Sequence, residues 1–310
     1  MKYAVFSDIH GNIHALKAAL RDAEAQKATK CIFLGDYCYG FPWGDEVAQT
    51  LRGLKSAIII RGNNEGYLID IHKTPRDGRW ACEQFKPIWW AYNSLSEVNL
   101  EYLINLPETM DIYDGDERIH IAHSSDIFYR KLRIEPFHSS LLRHIMPKSF
   151  THKEYLEKAR GAIMARADAL ADIGMLAGGV YLNGHNHMQF HMEYEGKLFV
   201  NPGSCGEALD RDATAAYTLI ERNDDRWEII ERRVAYDLSA AADGMRATGF
   251  YEYAPMWAEI MEAELMSGED FFGLFVNHLV ETNRRFGRTD YPVGNDVWDA
   301  AVKTWDITKI

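Results

Sequence analysis

The sequence predicts an α/β fold, and three patterns carry that expectation. Short, continuous apolar runs recur along the first 182 residues, helical segments separate them, and after about residue 190 the pattern changes to paired strands with tight turns. Tyr3 to Phe6 is the first run and breaks at Ser7-Asp8-Ile9-His10-Gly11-Asn12. A helix follows, with Asn12 as N-cap and Ile13, Leu16, Leu20 and Ala23 on one face. Cys31 to Leu34 is the second strand and ends at Gly35-Asp36. A helix over about residues 45–54 leads to a β-branched third strand, Ala57 to Ile60, which ends at Arg61-Gly62-Asn63-Asn64. Strands alternating with helices predict a parallel sheet covered on both faces.

Residues 66–107 read as a helical insert. Its aromatics Trp80, Trp89, Trp90 and Tyr92 fit a core beneath the insert better than a nucleobase platform. Ile119 to Ala122 is the fourth strand and ends at His123; a second helical excursion spans 130–176. Val180 to Leu182 is the fifth and ends at Asn183-Gly184-His185-Asn186-His187. Two hairpins follow, one turning at Glu195-Gly196 and one at Asn223-Asp224-Asp225. Residues 1–235 are therefore read as one main domain, and 236–310 as a helical C-terminal appendage packed on it. That appendage either forms a dimer surface or covers hydrophobic area.

Composition limits the function classes. The chain has 310 residues, 47% of them hydrophobic, enough for a sizeable core, and a formal net charge of −12. No basic run exceeds pairs such as Arg232-Arg233, so duplex nucleic acid is not an expected partner. The four cysteines, Cys31, Cys38, Cys82 and Cys205, form no CxxC pair and fit reduced thiols. The apolar stretch at the N-terminus is too short for a signal peptide, and no run reaches the roughly 18 apolar residues of a membrane span. A cytoplasmic location is expected.

Chemistry collects at the strand ends. Asp8 and His10, Asp36, Asn63, His123, and His185 with His187 each follow a strand, and ligands in open α/β sheets bind at those carboxyl edges. Imidazole and carboxylate donors suit divalent metals. A glycine beside each cluster permits turns with φ > 0 and close backbone approach. The other histidines, His14, His72, His120, His138, His144, His152, His191 and His278, have no such setting and read as structural or surface groups.

The ordered set Asp8-Ile9-His10, Gly35-Asp36, Gly62-Asn63-Asn64-Glu65, His123 and Gly184-His185-Asn186-His187 resembles the calcineurin-like metallophosphoesterases. The extended forms Asp8-Ile9-His10-Gly11-Asn12 and Asn201-Pro202-Gly203-Ser204 are most similar to the bacterial branch of small phosphodiesterases and phosphatases. The resemblance covers about residues 1–235 and implies a two-sheet β-sandwich flanked by helices. It also implies two divalent ions (Mn, Fe, Zn or Ni): one held by Asp8, His10 and His187, the other by Asn63, His123 and His185, with Asp36 bridging. A hydroxide shared by the ions would attack a phosphoester in line, the substrate being a phosphodiester, nucleotide or phosphomonoester.

The chain departs from the family pattern at Asn64, where most members have a histidine that protonates the leaving group. An amide donates a hydrogen bond but delivers no proton. Two alternatives therefore stand beside the small-molecule enzyme: a protein phosphatase, since Arg61-Gly62-Asn63 also occurs in that branch, and a metal-binding regulatory protein of weak activity. Arg61 reads equally as a phosphate contact or a surface ion pair, Ser124 as a group crowding the second ion or bonding the phosphate, and Asn12 as a substrate contact or, sufficiently, as a helix cap alone.

Overall fold

The computed structural model describes residues 1–74, 82–124, 150–223 and 226–309. Trp80, Ser125, His138, His144, the whole of the 130–176 excursion before residue 150, and Asp224-Asp225 lie outside the described residues.

The strands are β1 (Lys2–Phe6), β2 (Lys30–Phe33), β3 (Ala57–Ile59), β4 (Thr109–Asp114), β5 (Glu117–Ala122), β6 (Gly179–Leu182), β7 (Phe190–Tyr194), β8 (Lys197–Asn201), β9 (Ala215–Asn223) and β10 (Arg226–Val234). The helices are α1 (Ile13–Ala25), α2 (Gly44–Gly53), α3 (Asn63–Lys73), α4 (Lys86–Ser94), α5 (Glu97–Ile104), α6 (His152–Met164), α7 (Ala167–Gly174), α8 (Leu238–Arg246), α9 (Phe250–Tyr253), α10 (Pro255–Ser267), α11 (Phe271–Arg285) and α12 (Asn295–Thr304).

The single parallel sheet expected from strand–helix alternation is replaced by two mixed sheets, ordered β10-β9-β1-β2-β3 and β4-β5-β6-β8-β7. In the first, β1, β2 and β3 run parallel while β9 joins β1 antiparallel. In the second, β5, β6 and β8 run parallel, with β4 and β7 antiparallel at the edges. The apolar runs read correctly as strands buried on both faces; what periodicity did not reveal is which sheet each joins. The two-sheet sandwich is the arrangement the family resemblance implies.

Alternation along β1 builds two cores at once. Tyr3 and Val5 point between the sheets, onto Ile32, Ile121, Val180 and Val200. Ala4 and Phe6 point outward to Leu16 of α1 and Tyr217 of β9, and Phe6 stacks between Phe33 and Tyr217. A third cluster packs Tyr155, Ile163 and Ile173 of α6 and α7 on Phe190, Met192 and Phe199 of the second sheet. Phe250, Trp257 and Phe275 of the C-terminal helices belong to the same continuous cluster as Phe6 and Leu16. Trp90 packs on Phe250 and Tyr253, which makes it core between the first insert and those helices.

The sequence reading missed β4. Its residues alternate exposed and half-buried, Thr109 to Asp114, and the register pairs Asp114 with Glu117 across Gly115-Asp116, with φ +65° at Gly115. The period of two and the Gly115-Asp116 turn were the available signals.

Candidate metal centre

The carboxyl ends of β1, β2 and β3 meet those of β5 and β6 along one edge of the sandwich. The loops that leave them are stitched together through the backbone. Ile9 and His10 N–H donate to the Asp36 carbonyl at 2.8 and 2.9 Å, Asp8 N–H to Gly35 at 3.1 Å, and Gly184 N–H to His123 at 2.8 Å. Ser204 Oγ donates to the Asp8 carbonyl at 2.7 Å, and Asn201 Nδ2 to the Gly184 carbonyl at 2.9 Å. The Asn201-Pro202-Gly203-Ser204 turn is thus a brace for loops of both sheets.

Five of the candidate ligands carry positive φ themselves: Asp8 (53°), His10 (49°), Asp36 (58°), His185 (74°) and His187 (59°). For non-glycine residues this conformation costs on the order of 1–3 kcal/mol each and persists where surrounding bonds fix it. The sequence reading gave that conformation to the neighbouring glycines, and Gly11 and Gly35 do adopt it, at +78° and +112°. Gly62 and Gly184 serve differently: a methyl group there would overlap the Asp36 carboxylate, or Ser7 and Asp8.

Two groups converge, Asp8 with His10 and His187, and Asp36 with His123 and His185, each with its ligand atoms within 4.8 Å of one another. His187 Nε2 lies 3.5 Å and His10 Nε2 3.9 Å from Asp8 Oδ1. His123 Nε2 lies 3.3 Å from Asp36 Oδ2 and 3.0 Å from Asn63 Oδ1. His185 Nδ1 is 3.3 Å from His123 Nε2. Three rings are oriented through their other nitrogen: His10 Nδ1 donates to the Tyr39 carbonyl (2.8 Å), His123 Nδ1 to Leu34 (2.9 Å) and His187 Nδ1 to Glu207 (2.7 Å). This leaves each Nε2 aimed inward, the usual preparation of a metal-binding imidazole.

The residues fit divalent cations on direct grounds. Asp8 Oδ1 and His10 Nε2 are buried polar atoms with no hydrogen-bond partner. Buried polar atoms are nearly always satisfied, so orphans that point at one another call for a cation between them. The mixed imidazole, carboxylate and amide donor set suits Mn, Fe, Zn or Ni.

Electrostatics agree. Burial alone would raise the Asp8 carboxyl, but His187, His10 and His123 hold it far below the ordinary range. Burial lowers His123, yet Asp36 and Asp8 more than compensate and push it up to about 9. Burial and the His123 charge take His185 down to about 4. His10 stands well above its usual value because of Glu207, Asp8 and Asp36. His10 and His123 are therefore protonated at neutral pH in the metal-free chain, and both must lose a proton to ligate. Metal loading at pH 7 is expected to release about two protons, with apparent affinity rising as pH approaches 9. Calorimetric titration in buffers of different ionisation enthalpy checks this; a buffer-independent enthalpy contradicts it.

The remaining candidates divide. Asn64 is buried at the site; its N–H donates to Asp36 Oδ1 at 2.9 Å and its Oδ1 accepts from Asn63 Nδ2 at 3.0 Å. Arg61 lines a neighbouring hollow together with Asn63, His123 and Ser124, and there it pairs with Glu108 at 3.0 Å. Asn12 is not among the residues that line the cleft. Its Oδ1 caps Ala15 N–H at 3.1 Å, and Nδ2 donates to the Gly206 carbonyl (2.8 Å) and Tyr236 OH (3.1 Å), so the cap and the C-terminal tie use the whole amide.

Two carboxylates carry roles the sequence reading missed. Glu65 accepts from Asp36 N–H (2.9 Å), Tyr37 N–H (2.8 Å) and Gly62 N–H (2.8 Å), clamping the loops after β2 and β3 together. Glu207 stands 2.9 Å from His10 Nδ1. Glu65 was visible beside Asn64, but nothing local to Glu207 marked it.

Residues 1–225 match the calcineurin-like phosphoesterase superfamily domain. The chain belongs to that family. A metallophosphoesterase from Sphaerobacter thermophilus has a similar fold, with TM-score 0.58 and 22% identity over 86% of this chain and 100% of that one. A hypothetical protein from Pyrococcus horikoshii gives 0.55 and 19% over 84% and 97%. An uncharacterised protein of Methanocaldococcus jannaschii is 23% identical over 258 residues, 77% of this chain and 89% of that protein. Among the described residues, no helix is long and apolar enough to cross a membrane.

The site opens into a chamber of about 650 Å³. His10, Asp36, Asn63, Asn64, His185 and His187 form its floor. Its far wall comes from the C-terminal helices, with Trp257 and Met261 on α10 and Phe272 and Val276 on α11, closed by Tyr291 and Pro292. Sequence reasoning gave that segment no part in the site.

Proposed function

We propose that the chain is a metal-dependent phosphoesterase acting on a small molecule, a phosphodiester, nucleotide or phosphomonoester. The observation that carries this reading is the convergence of Asp8, His10 and His187 with Asp36, His123 and His185, at which Asp8 Oδ1 and His10 Nε2 are buried without partners. In this reading Asp8, His10 and His187 hold one ion, Asn63, His123 and His185 hold the other, and Asp36 lies between. Two bound divalent cations supply a water of lowered pKa and Lewis-acid stabilisation of an in-line displacement at phosphorus.

The chain's own contribution is positioning. Backbone carbonyls fix the tautomers of three imidazoles, Glu65 sets the spacing of Asp36 and Asn63, and Asn64 ties the loops together, its N–H donating to Asp36 Oδ1 at 2.9 Å and its Nδ2 to the Cys38 carbonyl at 3.4 Å. Enclosure of the chamber by the C-terminal helices supports a small substrate over a folded protein, against the protein-phosphatase alternative. The complete donor set supports an enzyme over a regulatory protein.

The test is hydrolysis of p-nitrophenyl phosphate and bis-p-nitrophenyl phosphate with Mn, Fe, Ni or Zn in turn. Turnover with at least one ion is expected; no turnover with any of them removes the enzyme reading.

A further inference from the structure

The chamber above the candidate metal centre combines two features that bear on what it accepts. Its far wall is aromatic: Trp257 stacks on Phe272 with ring centroids 5.3 Å apart, and Tyr291 meets Phe85 edge-to-face at 6.2 Å at the mouth. Trp257 is held in place by its Nε1–H, which donates to the Glu83 carbonyl at 3.3 Å, and Tyr291 is 70% exposed. The second feature is on the floor, where Asn64 occupies the place next to Asn63 and brings no transferable proton. Glu207 and Asp270 add negative charge to the lining.

Each feature restricts the substrate. Because Asn64 supplies no proton beside Asn63, hydrolysis there is favoured when the leaving oxygen is stable as an anion, as in an aryl oxide or a phosphate. Carboxylates in the wall repel a second phosphate. An aromatic wall favours a planar ring through stacking and burial. We propose that this chamber selects a phosphoester of an aromatic alcohol, with the ring against Trp257, Phe272 and Tyr291 and the phosphoryl group on the floor. The inference rests on the phosphoesterase reading. For a monoester the step balances without an acid. Water oxygen bonds to phosphorus, and the phosphorus–oxygen bond to the ring breaks with its electron pair leaving on the aryl oxide. Both water hydrogens stay with the dihydrogen phosphate, and charge is conserved.

Calorimetric titration of the manganese-loaded chain with phosphonates tests this, because their phosphorus–carbon bond resists hydrolysis. Phenylphosphonate and benzylphosphonate should bind about tenfold more tightly than methylphosphonate, the scale of burying one ring. The exposed-site variant Tyr291→Ala should narrow that gap, and Phe272→Ala should narrow it further. The wild-type comparison stands even where a variant fails to fold. Equal affinity for methyl and phenyl compounds overturns the inference while the phosphoesterase reading survives. Tighter binding of an acyclic nucleoside phosphonate than of phenylphosphonate also overturns it, in favour of a nucleobase. Binding of no phosphonate and no inorganic phosphate instead defeats the reading of the site as a phosphoester centre.

Discussion

Replacing Asp36 by Asn is expected to lower metal-dependent hydrolysis by about 10²–10³-fold, the scale of removing one preorganised electrostatic group from a water-excluded site. Asp36 is buried and lies 3.3 Å from His123 Nε2 and 3.9 Å from His10 Nε2, so it reaches imidazoles from both groups and approaches His123 more closely than Asp8 Oδ1 does at 4.0 Å. Its other oxygen is already used, accepting from Asn64 N–H at 2.9 Å. The amide preserves shape but removes a charge that both groups share, so ion affinity should fall with the rate. The fold should survive, because the loop after β2 is still held by the backbone bonds from Ile9 and His10. Steady-state kinetics beside circular dichroism separate these outcomes. Wild-type turnover in Asp36→Asn would show that the carboxylate has no part in the reaction.

Replacing Glu65 by Gln should be the most destabilising conservative change at the site. The carboxylate is fully buried and accepts three backbone N–H groups, from Asp36, Tyr37 and Gly62. A glutamine keeps one acceptor oxygen and turns an NH₂ toward donors, which leaves buried N–H groups unsatisfied at roughly 1–3 kcal/mol each. A loss of about 3 kcal/mol or more in urea unfolding is therefore expected. Because Asp36 and Asn63 hang from the clamped loops, ion affinity should also drop by about 10–100-fold, as for other residues that orient metal ligands. Unchanged unfolding and unchanged ion affinity would contradict the clamp.

Much of the candidate site was legible because its residues follow buried strands directly. The apolar runs before Asp8, Asp36, Asn63, His123 and His185 marked where each strand stops, and both sheets present those ends to one cleft. Strand assignment to sheets was not legible, since an apolar run buried on both faces looks the same in either layer. The β4 strand was hidden by its polar edge character, although Thr109 to Asp114 alternate cleanly. Asn12 and Arg61 show the limit of reading single polar residues near a motif. Each had two uses in sequence, and the structure engages them with Tyr236 and Glu108 respectively. The chamber wall was least legible of all. Trp257 and Phe272 sit at ordinary helical core spacing, and only the docking of α10 and α11 over the first sheet brings one side of that aromatic cluster to the cleft.

A paired-ion hydrolytic site formed by these residues has a direct signature in metal stoichiometry. Titrating manganese into the metal-free chain, with hydrolysis of p-nitrophenyl phosphate followed at each addition, tests it most directly. The expected result is no turnover without metal and a rise that saturates at two ions bound per chain. Saturation of binding without turnover, or turnover indifferent to chelation, would contradict it.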